Sequence, residues 1–115
     1  MIRCSILYPN RTGAHFDSTY YLERHIPWVT ELLSRHPSFR GTVVEQGISG
    51  LTPESPPAYL AMCHFTFETI EAYFAAFLPH AEGVRGDLVN YTDVTPVVQF
   101  SRVAVPPGAS LLDCR

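Results

Sequence analysis

A chain of 115 residues has room for one domain and not two. With 46% hydrophobic and 17% charged residues it is too apolar to stay disordered, and it is long enough to bury a core without metal or disulfides. The net charge is −3, and all eight cationic residues are Arg, scattered along the chain; this leaves no basic stripe for a nucleic acid.

The three cysteines, Cys4, Cys63 and Cys114, are odd in number and form no CxxC pair. That excludes a disulfide framework and a sequence-visible zinc knuckle, and it suits a reducing compartment. No apolar run approaches the length of a membrane span, and Met1-Ile2-Arg3-Cys4 opens without an apolar leader. The expectation is a cytoplasmic protein with no membrane partner.

In chain order, residues 2–8 alternate, with Ile2, Cys4, Ile6 and Tyr8 on one face, and predict a first strand closed by Pro9-Asn10 and Thr12-Gly13. Asp17 stands where an N-cap is wanted, with Phe16 before it as a hydrophobic staple, and opens a helix that runs to about His36. Residues 40–48 are a second strand, 49–57 a loop rich in Pro, Ser and Gly, and 58–67 a third strand. Glu68-Thr69 caps a second helix through Phe77 or Leu78, a short helical turn follows around 83–88, and 94–103 form the last strand. A domain of residues 1–103 and a tail of 104–115 result.

The order βαββαβ predicts an α+β, ferredoxin-like domain: a four-stranded antiparallel sheet with both helices on one face. Cys4, Ile6, Tyr8, Ala61, Cys63, Phe65, Phe67, Val98 and Phe100 fall on the face that takes the helices. The opposite face carries Ser5, Leu7, Met62, His64, Thr66, Val97, Gln99 and Ser101, too apolar for open water and too polar for a core. A second copy of the sheet is its natural cover, so a homodimer is expected, paired sheet to sheet.

The first helix bears two stripes. Leu22, Ile26, Val29 and Leu33 form a core stripe, and Tyr21, His25, Trp28 and Leu32 repeat it one residue earlier, rotated by about 100°. The extra stripe either packs on the second helix or walls a pocket in which His25 is the polar group. Imidazole titrates near neutrality and can serve as acid or base, and Pro27 should kink the helix beside it; a buried structural histidine is the plain alternative. Asn90, Tyr91, Thr92 and Asp93 lead into the last strand, either as a turn that satisfies local backbone or as a source of a phenol and a carboxylate for His25. No HxH or HExxH spacing supports a metal, Cys4 and Cys63 have no evident cationic neighbour to activate a thiol, and no GxGxxG or P-loop supports a nucleotide.

Leu7-Tyr8-Pro9, then Phe16-Asp17-x-x-Tyr20-Tyr21-x-x-x-His25-x-Pro27, then Asn90-Tyr91-Thr92-Asp93-x-x-Pro96 resemble the EthD family over about residues 1–103. The resemblance implies a dimeric α+β barrel. It also implies kinship with cofactor-free isomerases and polyketide cyclases, quinone-forming monooxygenases and haem-degrading barrels. In several of these a pocket histidine handles protons, and by that analogy the resemblance gives the role to His25. The family is named for a component of ethyl tert-butyl ether degradation, encoded with a cytochrome P450 system.

The expectation is then a homodimer that binds a small apolar or aromatic molecule and, without a cofactor, catalyses isomerisation, cyclisation or decarboxylation in catabolism or secondary metabolism. His25 would be the acid/base, Asp93 its orienting carboxylate and Tyr91 or Tyr21 a donor to substrate oxygen. Tyr8, Tyr21, Trp28, Phe65, Phe74, Phe77 and Asn90 would contact the ligand. A non-catalytic binding or accessory protein of a degradative pathway is the alternative.

Overall fold

Period-two alternation of apolar and polar side chains yields four strands in the computed structural model, which describes residues 1–108. They are β1 (Ile2–Pro9), β2 (Phe39–Gln46), β3 (Tyr59–Phe67) and β4 (Val97–Arg102), joined in the order β2-β3-β1-β4 with every pair antiparallel. The two central strands carry the core: Cys4, Tyr8, Ala61, Cys63, Phe65 and Phe67 are all buried under the helices. The register sets Ser5 opposite His64 and Leu7 opposite Met62 on the other face, which no helix covers. Gly41, at φ +130°, sits at the register shift where β2 meets β3, in a conformation that an L side chain strains to adopt.

The last strand begins three residues later than the sequence suggests. Pro96 has no N–H to give to a ladder, and Val94 is instead buried beside Tyr8, Tyr21 and Tyr91, with its N–H held by the Thr92 hydroxyl. The tail expected from Ala104 is described as far as Gly108; the rest, Cys114 included, lies outside the described residues.

The first helix, α1, comprises three stretches: Ser18–Tyr20, a π turn Tyr21–His25, and Ile26–Ser34. Its start is as the sequence predicts. The Asp17 carboxylate accepts from the Tyr20 N–H at 3.1 Å, and Phe16 staples onto Tyr21 with ring centroids 5.0 Å apart. The two expected stripes are not both present. Tyr21 and His25 from one, and Val29 and Leu33 from the other, make a single buried face, while Leu22 and Trp28 are exposed at 37% and 40%. The π turn is the reason. Ile26 donates to the Tyr21 carbonyl, five residues back, so one extra residue is taken up and the helix face turns by about 100°. Pro27, with no N–H to donate, follows directly at the start of the last stretch.

Helix α2 (Ile70–Phe77) is capped by Thr69, whose hydroxyl accepts from the Ala72 N–H, and a 3-10 turn Leu78–His80 leads into the short α3 (Ala81–Gly86) and a second turn, Leu88–Asn90. The core falls into two clusters. One joins Val29 and Leu33 of α1 to Cys4, Cys63, Phe65, Phe67 and Tyr73; the other, at the opposite end of β1, is built on Tyr8, Tyr21, Ala61, Tyr91 and Val94. At about 1.5–3 kcal/mol for each large side chain buried, these two groups hold the helices to the sheet.

Candidate functional site

Between α1, α2, α3 and the sheet lies a cavity of about 530 Å³. Its floor is Tyr8, Tyr21, Val29, Cys63 and Phe65, all at most 3% exposed, and its rim is Leu78, Arg85, Thr95 and Val98. The mouth opens over β4, which explains why Val98 points toward the helices and is still 54% exposed. Of the expected ligand contacts, Tyr8, Tyr21, Phe65, Phe74 and Phe77 line the space, as does His25. Trp28 and Asn90 do not. Trp28 lies on the outer side of α1, edge-on to His25 with centroids 6.2 Å apart.

His25 is 5% exposed and enters the cavity wall because the π turn rotates it inward. Its Nδ1 lies 2.8 Å from Oδ2 of Asp87. Asp87 is fixed in turn: its Oδ1 accepts from the Tyr20 hydroxyl at 2.7 Å and from the Asn90 amide at 2.9 Å. Burial alone would raise the Asp87 carboxyl, but the hydrogen bonds from Tyr20, Asn90 and His25 outweigh it and hold the group below the usual carboxylate range. Burial lowers the His25 pKa, and the Asp87 bond and charge, which pull the other way, do not overcome it. At neutral pH the pair is therefore a carboxylate accepting Nδ1–H from a neutral imidazole. That tautomer leaves a lone pair on Nε2, which has no hydrogen-bond partner among the described residues.

The carboxylate on His25 is thus Asp87 and not Asp93. Asp93 is exposed and already engaged, accepting from the His15 N–H at 2.9 Å and pairing with Arg11 at 3.1 Å; those contacts lower its pKa and tie two surface loops together. Tyr91 does not reach the cavity either. Fully buried one layer behind it, its hydroxyl lies 2.7 Å from that of Tyr8, which does line the space. The Asn90 amide donates to Asp87, and Asn90 does not line the cavity. Asp87 itself carries no warning in the sequence beyond an Asp-x-x-Asn turn, since it meets His25 across 62 positions of chain.

Tyr21 completes the set. Its hydroxyl is buried beside the Cys63 thiol and the Tyr8 hydroxyl, makes no well-aligned hydrogen bond to either, and belongs to a residue that lines the cavity. A buried polar group is ordinarily paired, so this one is an exception to the rule. Burial raises the phenol pKa and keeps it a donor at any working pH; burial likewise pushes Tyr8 up to about 12 and the Cys63 thiol up to about 12. Both described cysteines are free and buried, in keeping with a packing role.

The EthD domain model matches residues 12–95. An EthD-like protein from Ralstonia eutropha JMP134 is 38% identical, aligns over 93% of this chain and 95% of its own, and superposes with a TM-score of 0.86. An EthD family protein from Bacillus halodurans C-125, at 17% identity, 89% of this chain, 97% of its own and TM-score 0.62, shares the fold. So does a cofactor-independent oxygenase from Streptomyces nogalater, at 13% identity, 94% of this chain, 97% of its own and TM-score 0.59. No curated protein matches the chain.

Proposed function

The chain belongs to the EthD family, and on that premise we propose that it binds a small, largely apolar or aromatic organic molecule in the cavity and transfers a proton on it. The observation that carries this reading is the His25–Asp87 pair in the wall of an apolar space, beside the unpartnered Tyr21 hydroxyl.

The step follows from the tautomer. Nε2 of His25 removes a proton from a carbon next to a carbonyl, and the electron pair moves to the carbonyl oxygen as an enolate. Tyr21 donates a hydrogen bond to that oxygen as charge develops. The imidazolium so formed is stabilised by Asp87, a positioning residue that does not itself touch substrate. Return of the proton to another carbon gives isomerisation; attack of the enolate on a second carbonyl gives cyclisation. Neither route needs a cofactor. Acid–base help of this kind is worth about 10²–10⁴-fold, which suits an activated substrate.

The protein is further proposed to work as a homodimer joined through the open sheet face. Leu7 and Met62 lie there half-buried, and Val43 and Val97 are 44% and 51% exposed.

The test is proton exchange in heavy water with β-tetralone, a bicyclic ketone with acidic α-protons, followed by proton NMR. His25→Asn keeps a donor for Asp87 and removes the base. The wild type should accelerate exchange, and the variant should lose roughly 10²-fold or more of that acceleration. A wild type that binds the ketone without exchanging its protons is a carrier and not a catalyst.

A further inference from the structure

Charge is unevenly placed around the cavity. Arg85, on α3, is the one cationic side chain that lines it, and no carboxylate does. Among the described residues Arg85, like Arg24 and Arg102, makes no ion pair and no side-chain hydrogen bond, whereas Arg11, Arg35 and Arg40 are each paired with an acid; of the unpaired three, Arg85 alone lines the cavity. It is exposed at the rim, close enough to the Tyr73 phenol for its charge to act on it. At the floor of the same space stands Tyr21, whose buried hydroxyl makes no well-aligned hydrogen bond to its neighbours Cys63 and Tyr8. The walls between are Val29, Phe65, Phe74 and Phe77.

We propose that the ligand is an organic acid: an apolar, ring-sized body that fills the cavity, with a single carboxylate held by Arg85 at the mouth and an oxygen at the far end for Tyr21. The volume of about 530 Å³ fits a body of two or three fused rings. The planar guanidinium matches a carboxylate in two parallel hydrogen bonds, and the apolar rim around it strengthens the pairing over its worth in open water. One cation answers one negative charge; a phosphate dianion at the same mouth would want a second. Anchoring the acid at the rim also fixes which end of the molecule enters first, so Arg85 sets orientation as well as affinity.

This inference rests on the cavity being the ligand site, and the test separates the two claims. Wild type and Arg85→Gln are titrated calorimetrically with naphthoate and with naphthamide, its neutral counterpart of the same shape, near pH 7. Naphthamide reports the cavity; the difference between the probes reports Arg85. The wild type should bind naphthoate about tenfold or more tighter than naphthamide. In Arg85→Gln the preference should vanish while naphthamide binding stays the same, and about 0.5 M salt should narrow the preference in the wild type. Equal binding of both probes by the wild type, or a preference that survives in Arg85→Gln, overturns the carboxylate assignment and leaves the cavity reading intact. If the wild type binds neither probe, the cavity reading falls and this one with it.

Discussion

His25 and Asp87 meet at 2.8 Å although the one sits in a π turn of the first helix and the other follows the short third helix. The contact exists because each side is fixed independently. The π turn aims the imidazole inward, and Tyr20 and Asn90 hold the carboxylate from two sides. A neutral imidazole beside a carboxylate that stays ionised is a base with a defined tautomer, which is the property that proton transfer at neutral pH requires.

Removing the charge on Asp87 gives the first prediction. Asp87 raises the His25 pKa through its hydrogen bond and its charge, against the larger effect of burial. Asp87→Asn should therefore lower the His25 pKa further, and free the ring to change tautomer; both are read from the imidazole resonances in an NMR pH titration. Proton exchange should fall by roughly 10²-fold. Asp93→Asn, at a surface ion pair, should alter neither. A His25 pKa that rises in Asp87→Asn would mean that the carboxylate does not act on this ring.

The second prediction is the pH dependence of stability. In the unfolded chain His25 takes up a proton near 6.5, but the folded chain refuses it until a lower pH. The unfolded state thus binds more protons in that window, and stability falls as pH drops below about 6.5. Above it both states are neutral at this site and the contribution is complete. Asp87, held below its ordinary 3.8, adds a second loss at lower pH, as that carboxylate is protonated. Thermal melts from pH 7.5 to 5 should show a decline that is shallower in His25→Asn. An equal slope in both proteins would remove His25 as its source.

The strands, the Asp17 cap, the Phe16 staple and the apolar aromatic floor were legible in the sequence because each depends on neighbours or on a fixed period. The site was legible in part. His25 and Tyr21 stood out by residue type and spacing, while Asp87 did not, because nothing local links it to the first helix. The doubled stripe on that helix carried more information than a wide apolar sector. Two stripes one residue apart, interrupted by Pro27, are what a helix shows when a π turn takes up one residue between them. Asp93 misled because a carboxylate beside a strand start is as useful to a loop as to a histidine, and here the loop, through Arg11 and the His15 N–H, claims it.

The buried phenols give opposite signs, which is the third prediction. Tyr91→Phe strands the Tyr8 hydroxyl without its 2.7 Å partner and should cost about 1–3 kcal/mol in urea melts. Tyr8→Phe should cost a similar amount, and the double variant less than the two together, since the pair forms one bond. Tyr21→Phe removes a hydroxyl that is buried with no partner, so it should be neutral or stabilise by up to about 1 kcal/mol, while weakening ligand binding. If Tyr21→Phe destabilises as Tyr91→Phe does, the hydroxyl is engaged within the fold and is no donor for a ligand.

The last prediction concerns assembly. Leu7 lies on the central strand β1 with Met62 of β3 and Val97 of β4 beside it in register, at the middle of the sheet face that no helix covers. Around them a hydrogen-bonded chain runs from Ser5 to His64 to Glu45, at 2.7 and 2.9 Å, so the polar groups of this face are partly satisfied before any partner arrives. A second sheet laid on it would bury the apolar side chains without stranding those polar ones, which is the condition for a stable contact. The wild type should then sediment at about twice 12.9 kDa at micromolar concentration. In a monomer the long Arg side chain of Leu7→Arg can lie along the sheet with its charge in water; between two sheets that charge would be buried with no acid assigned to it. Leu7→Arg should therefore sediment as a monomer and keep the wild-type circular dichroism. A wild type that sediments near 12.9 kDa, or a Leu7→Arg variant that remains dimeric, would show that this face is not where two copies meet.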